Sequence, residues 1–521
     1  MAADQPSDNA INVPPGGRIE VWSPADGRLL TTVVRTSAED VGRAAHDLRS
    51  AQEEWEALGP SPRAVHLKAL RDWILDNESH LLDIMQDESG KVRQDATFEP
   101  VASADLISYY AARARRILAE QHPLPHGVLT AAKRLTVRHR PHQLVGVISP
   151  WNFPLFIPVA DSAPALLAGA AVLLKPSEET PLTAIELGRA WREIGAPDVF
   201  RVLTGDSSTG SAVVNSVDYI AFTGSAATGR RIASRAAERL IPASLELGGK
   251  DAMIVLDDAN VDRAVNGALW GGMFNAGQVC TSVERVYVQE GIYDEFIGKL
   301  VEAVAGLRQG IDRVAGEQEI GAMATRQQAQ IVAAHVEDAV AHGARILIGG
   351  PDAAVHDSNG YWIAPTVLVD VDHSMRCMRE ETFGPTLPVV KVRDEEEALS
   401  LANDSPYGLS ATLWTGSRKR GERLACRLSA GAVNVNDVFT NVISPPVPMA
   451  GWGESGLGSR FGGAQGLLRY TRPQAVTASR LTPDREVLWY PYSLKRSRLA
   501  ARIMHFAVGR GPRRFRSVVK P

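Results

Sequence analysis

Cys280 ends the segment FNAGQVC, Glu246 ends a short apolar run in ASLELGG, and Asn152 follows the run LVGVIS in SPWNFP. A thiol, a carboxylate and a neutral amide are the groups that nucleophilic chemistry at a carbonyl requires. A thiolate attacks carbon, a carboxylate deprotonates water, and an amide N–H holds a developing oxyanion. Each residue also has an ordinary reading. A lone cysteine is more often a small buried hydrophobe, a glutamate at a strand end is usually solvated, and an asparagine between Pro150 and Pro154 can simply cap a turn. Gly248 and Gly249, directly after Glu246, let the backbone turn closely around a site.

A second set of residues suits a dinucleotide. FTGSAATG follows the run DYIAF and opens a helical stretch through Arg230 to Leu240, so small residues lie where a pyrophosphate would meet backbone amides at a helix N-terminus. The glycine spacing is not the six-residue dinucleotide fingerprint. After AAVLLKP, Lys175 and Glu178 offer a donor and an acceptor suited to ribose hydroxyls, or are solvated turn residues.

The elements that must carry these groups follow from periodicity. After an N-terminal arm read as mobile, Ser37 to about Glu120 is rich in helix formers, with apolar residues such as Leu67, Leu70, Trp73 and Ile74 at three and four spacing. From about Gln143, short apolar runs ending in Gly or Pro alternate with helical stretches: LVGVISP, AAVLLKP, FRVLTG, DYIAFTG and ASLELGG. That alternation predicts a parallel sheet with crossover helices, and in such a sheet function gathers beyond the carboxyl ends of the strands. A second alternating block, from DAMIVLDD through ERVYVQ, ARILIGG, TVLVDV and TLPVVKV to LSATLWTG, predicts a second α/β domain. RLTVRHRPHQLVGV alternates apolar with charged residues as a two-faced hairpin would, and an exposed pair of strands calls for a partner.

Composition bounds the function class. At 521 residues the chain exceeds one hydrophobic core. The formal net charge of -4 gives no global reason to expect nucleic acid. Three cysteines, Cys280, Cys377 and Cys426, form no disulfide framework and fit a reducing cytoplasm. The start has no basic and apolar segments of a secretory signal, and no apolar stretch reaches the roughly 18–20 residues of a bilayer span. The expectation is a cytoplasmic protein without a metal.

PWNFP, LLKPSEETP, FTGSAATG, LELGGK, FNAGQVC, EETFGP and GAVNVN, in this order over about residues 20 to 475, together resemble the aldehyde dehydrogenase superfamily. The resemblance implies an α/β fold: a Rossmann-type cofactor domain (1–124 and 144–248), an α/β catalytic domain (249–447) and a small β oligomerisation arm (125–143 and 472–481). It implies that Cys280 is the nucleophile, Glu246 the general base and Asn152 an oxyanion donor. Lys175, Glu178, Ser225, Glu381, Phe383 and Trp151 match cofactor-contacting positions, and Gly224 belongs to the loop passing the phosphates. An aldehyde would be oxidised through a thiohemiacetal and a thioester on Cys280, with NAD as cofactor and NADP as the alternative, in a homodimer or homotetramer. Glu246 favours a free acid product over acylated CoA.

Two segments depart from the family pattern. PMAGWGESGLGSRFGGAQGLLRYT replaces the usual PFGG-like turn. LFIPVAD lacks the arginine that many succinate-semialdehyde dehydrogenases place there, although a subgroup with that activity has a similar stretch, which keeps it as an alternative reading beside a catalytically silent structural relative. Trp270, Met273, Phe274 and Phe156 line an apolar tunnel or pack in the core. Residues 482–521 form an extension that combines aromatics with Lys495, Arg496, Arg498, Arg502, Arg510, Arg513, Arg514 and Arg516. It is read either as a tail packed on a neighbouring subunit or as a contact with an acidic membrane surface.

Overall fold

In the computed structural model, residues 17–127, 130–351, 359–486, 489–509 and 511 are described. The chain divides into two units, Met1–Ala114 with His142–Tyr470, and Arg115–Pro141 with Thr471–Pro521.

The first unit holds two large sheets. One orders its strands Gly456–Leu457, Ala243–Glu246, Tyr219–Thr223, Leu144–Ile148, Ala171–Lys175 and Phe200–Val202. All neighbours are parallel except the short Gly456–Leu457, which pairs antiparallel with Glu246 and Leu245. After Leu144–Ile148 the chain adds strands on one side and then returns to the other with Tyr219–Thr223. The crevice beyond that switch point is where a doubly wound sheet binds its ligand. The strands Leu144–Ile148, Ala171–Lys175 and Tyr219–Thr223 are buried throughout, the pattern of a parallel sheet covered on both faces. The second sheet has seven strands, with Asp251–Val255 and Val283–Gln289 at its centre and an antiparallel edge, Arg345–Gly350.

The helical opening comprises Ala38–Ala57, Pro60–Asp76, Glu78–Ser89 and Arg93–Ile117. In the first of these, Ser37 accepts from the Asp40 N–H as N-cap, and Val41, Ala44, Ala45, Leu48, Gln52 and Trp55 form the buried stripe. The N-terminal arm differs from the expectation. From Arg18 it is a hairpin, Arg18–Trp22 with Leu29–Val34, because Ile19, Val21 and Val33 alternate onto a small core against Leu182 and Ile185. Residues 1–16 lie outside the described residues.

RLTVRHRPHQLVGV is likewise not a hairpin. Leu144–Ile148 joins the first sheet, whereas Lys133–Pro141, in the second unit, pairs along its whole length with Thr471–Ser479. Alternation showed that two strands were present, but only the tertiary structure chose partners more than three hundred residues apart. The second unit also contains the helix Leu494–Val508. Arg510, Arg513, Arg514 and Arg516 lie outside the described residues.

One buried ion pair fixes the loop that carries Asn152. Lys91 Nζ lies 2.5 Å from Glu99 Oε1, with both side chains inaccessible. Glu99 Oε2 accepts the Leu155 and Phe156 N–H groups at the start of the helix Phe156–Ala168, and Lys91 donates to the Asn152 carbonyl. Stranding one partner of such a pair costs about 3–5 kcal/mol, so this loop is held far more firmly than a surface turn.

Candidate active site

Cys280 and Glu246 arrive from different sheets and meet. The Cys280 thiol donates to Glu246 Oε1 across 3.6 Å. Glu246 ends its strand, and the space beside Gly248 after it is taken by the Glu381 carboxylate, whose Oε2 stands 2.1 Å from where a Cβ would be. Cys280 follows a tight turn in which Asn275, Ala276 and Gly277 all take positive φ. For Ala276 that conformation costs roughly 1–2 kcal/mol, and buried polar groups impose it. Asp95 accepts the Asn275 N–H, the Gln278 amide donates to the Asn275 carbonyl, and Gln278 Oε1 accepts from Ala324.

Asn152 lies beside this turn. Its amide donates to the Gln278 carbonyl at 2.9 Å. An amide nitrogen carries two hydrogens, so this bond uses one of its two N–H groups. The structure therefore brings Cys280, Glu246 and Asn152 together.

A residue that sequence reasoning passed over completes the group. Arg460 is buried and forms an ion pair with Glu246 through Nη1 and Oε1. It reaches Glu246 because Gly456–Leu457 lies alongside the Glu246 strand, with Leu247 donating to the Ser455 carbonyl and Ser244 to that of Ser459. Arg469 anchors the same segment, donating to Ser459 and to the buried Asp161. The departure GLGSRFGG was visible, but not the carboxylate that its arginine meets.

Burial pushes the Glu246 carboxyl above its ordinary value, and the Arg460 charge acts against that rise. Burial and then the Glu246 charge push the Cys280 thiol well up, so the resting thiol holds its proton beside the carboxylate that can take it. Glu246 Oε2 is buried without a hydrogen-bond partner among the described residues.

The cofactor candidates gather beyond the strand ends. Lys175 and Glu178 form a 2.8 Å ion pair with each other. Gly224 donates its N–H to the Glu246 carbonyl, and Ser225 caps the helix Ala226–Glu238. Glu381 accepts the Gly249 N–H, and burial raises its carboxyl to about 8. Phe383 has a positive φ, is held by Glu284 at its N–H, and packs edge-on against Trp151. A helix N-terminus opening on small residues and an acid–base pair sized for a ribose fit a dinucleotide.

Arg460→Met should move the acid limb of the steady-state pH–rate profile to higher pH, because loss of the cation raises Glu246 further while catalysis needs it ionised. Arg460→Lys should bring the limb back toward wild type. An unchanged profile in Arg460→Met would remove Arg460 from any influence on the base.

The pattern described as the aldehyde dehydrogenase family matches residues 13–476. A Mycobacterium ulcerans protein provisionally named a succinate-semialdehyde dehydrogenase, NADP(+), is 40 % identical over 458 residues, 87 % of each chain. A 4,4'-diapolycopene aldehyde oxidase of a Methylomonas species is 40 % identical over 478 residues, 91 % of this chain and 88 % of its own. Among solved structures, an aldehyde dehydrogenase, so assigned provisionally, from Anabaena variabilis superposes with a TM-score of 0.86 at 36 % identity, covering 91 % of this chain and 100 % of its own. With a match over most of its length and relatives at this identity, the chain belongs to the aldehyde dehydrogenase family, oxidoreductases that use NAD(P).

Proposed function

We propose that Cys280, Glu246 and Asn152 oxidise an aldehyde to its free acid. The supporting observation is the thiol hydrogen-bonded to a buried, arginine-paired carboxylate. Glu246 takes the Cys280 proton, and the thiolate forms a C–S bond to the carbonyl carbon. The Asn152 amide holds the oxyanion of the thiohemiacetal. Lys175, Glu178, Gly224, Ser225, Glu381, Phe383 and Trp151 would hold NAD(P), which would supply the acceptor for the hydride that leaves this adduct as it becomes a thioester. Glu246 passes the cysteine proton to solvent, then takes a proton from water as the water oxygen attacks the thioester; the C–S bond breaks, the acid leaves, and Glu246 returns that proton to the departing thiolate.

The division of labour follows the sheets: 1–124 with 144–248 binds the cofactor and 249–447 carries the nucleophile. Residues 125–143 with 472–481 serve as the oligomerisation arm of a homodimer or homotetramer. The paired ribbon supports this, because Thr471–Ser479 is exposed beyond its first residue and an isolated two-stranded ribbon is marginal in water. The relatives' names differ on the aldehyde, one four-carbon and carboxylated, the other a long polyene.

The helix Leu494–Val508 supports contact with an anionic lipid surface. Lys495, Arg498, Arg502 and His505 recur at three and four spacing along one stripe, Leu499, Ile503 and Phe506 along another, and no acidic residue interrupts them. Leu499, Phe506, Tyr490 and Tyr492 are exposed. No helix among the described residues is long and apolar enough to cross a membrane.

Cys280→Ser should abolish oxidation while leaving NAD affinity within a few-fold. Glu246→Gln should lose about 10²–10⁴-fold in steady-state turnover. Its NADH burst should be slow near neutrality and return at a pH that ionises the thiol directly, while steady turnover does not. A full burst at neutral pH would confine Glu246 to the hydrolytic step.

NAD should be preferred over NADP, because a 2′-phosphate would bring like charge to the half-buried Glu178. The preference should shrink in Glu178→Ser, as measured by kcat/KM with each cofactor. Equal use by the wild type would mean that Lys175 offsets the repulsion.

Vesicles containing phosphatidylglycerol should co-sediment the protein at low salt, and those of phosphatidylcholine alone should not. Paired Arg498→Glu and Arg502→Glu substitutions should lower binding at least about tenfold, given roughly 1 kcal/mol per basic residue. Indifference to both lipid charge and substitution would reject the lipid reading.

A further inference from the structure

Two chambers lead to Cys280. The inner one has Cys280 and Arg460 in its wall, and the outer one, a cavity of about 480 Å³, opens toward solvent. Phe98, Phe156, Trp270, Phe274 and Val442 line both, so the chambers are two parts of one passage. Its wall is an aromatic cluster. Phe98 meets Phe153, Phe156 and Phe274 edge-on with ring centroids 5.7–5.9 Å apart, and Trp270 meets Phe439 at 5.1 Å. Near the outer chamber Trp270 is 45 % exposed and Val101 56 %. An aromatic surface left that open where a passage meets water is costly without an apolar occupant. Met273 does not line either chamber; it is buried in the core.

The charges point the same way. Among the described residues lining the chambers, the charged side chains are Asp95, Asp105 and Arg460. Asp95 is engaged by the Asn275 N–H, and the Arg460 charge is paired with Glu246 through Nη1, its buried Nε having no hydrogen-bond partner among the described residues. Among the described lining residues, no cation other than this one, already paired with a carboxylate, faces a second anionic group on the substrate. A carboxylate a few carbons from the aldehyde would lie against phenyl rings without a partner, and one farther out would approach Asp105. A buried unpaired charge is among the most unfavourable groups a pocket can be asked to hold.

From the passage we infer that the substrate is an uncharged apolar aldehyde, aliphatic and long or aromatic, and that aldehydes with a distal carboxylate are discriminated against. This rests on the assignment of Cys280 as nucleophile, and it concerns what the passage admits rather than what the thiol does. Each methylene that enters adds the burial of one CH₂, a factor of about three to four in kcat/KM, until the outer chamber is filled.

The test measures NAD(P)-linked oxidation by the full chain for butanal, hexanal, octanal and decanal, and for 4-oxobutanoate and 10-oxodecanoate as carboxylated partners of equal length. Efficiency should rise at least a hundredfold from butanal to decanal, and each carboxylated aldehyde should fall at least tenfold below its uncharged partner. Trp270→Ala should lower the efficiency with decanal more than that with butanal. Val442→Arg, which places a cation in the passage, should narrow or invert the gap between decanal and 10-oxodecanoate. In parallel, decanal and 10-oxodecanoate are titrated into Cys280→Ser by intrinsic tryptophan fluorescence, which reads the passage without chemistry. Tight decanal binding without turnover in the wild type would sink the nucleophile assignment and leave the substrate class standing. Turnover that favours the carboxylated partners, or binding that favours 10-oxodecanoate over decanal, would overturn the substrate class and leave the nucleophile in place.

Discussion

The pairing of Glu246 with Arg460 is the interaction on which the site depends. A carboxyl group deep in an apolar pocket would take up a proton and cease to be a base, because burial disfavours its charged form. The guanidinium opposes this, and being itself buried it has no better partner. The pair then fixes much else: the strand Gly456–Leu457 must lie beside Ala243–Glu246, and Arg469 must be tied to Asp161 so that the segment after Ser459 cannot drift. Replacing one member leaves the other as an uncompensated buried charge, which is why the pair behaves as one element.

Cys280, the proposed nucleophile, is positioned by the opposite kind of structure, an irregular turn made rigid by polar groups. Ala276 would rarely take a left-handed conformation in a free chain, and the packing leaves no room to relax: a Cβ on Gly277 would sit 2.1 Å from the Gly384 carbonyl oxygen. Gly384 belongs to the loop that also presents Glu381 and Phe383. The turn behind Cys280 and the proposed cofactor contacts are therefore parts of one packed unit, and strain of this kind persists where surrounding structure over-determines it. Lys91 and Glu99 do the same for Asn152 from the other side.

The aromatic passage adds a dielectric argument. Apolar walls around Cys280 raise the thiol's pKa and so weaken its reactivity in isolation, yet they strengthen every charged interaction that remains inside. A resting thiol that keeps its proton is protected from adventitious reaction. One that shares the proton with Glu246 can give it up locally when a carbonyl arrives.

The sequence alone determined the two alternating α/β blocks, since fully apolar runs closed by Gly or Pro can hardly be anything but buried parallel strands. It also determined the candidates Cys280, Glu246 and Asn152, whose neighbouring glycines and prolines mark them as residues at strand ends and tight turns. It did not determine the N-terminal hairpin, whose alternating Ile19, Val21 and Val33 find their small core only against Leu182 and Ile185, far along the chain. Nor did it determine the partner of Lys133–Pro141, because an alternating strand states which faces it has and not what it pairs with. Arg460, Lys91, Glu99 and Asp95 were illegible for a related reason. A charged residue in a sequence is by default a solvated one, and only the tertiary structure, by removing the water, turned these four into the groups that hold Glu246, Asn152 and the turn before Cys280 in place.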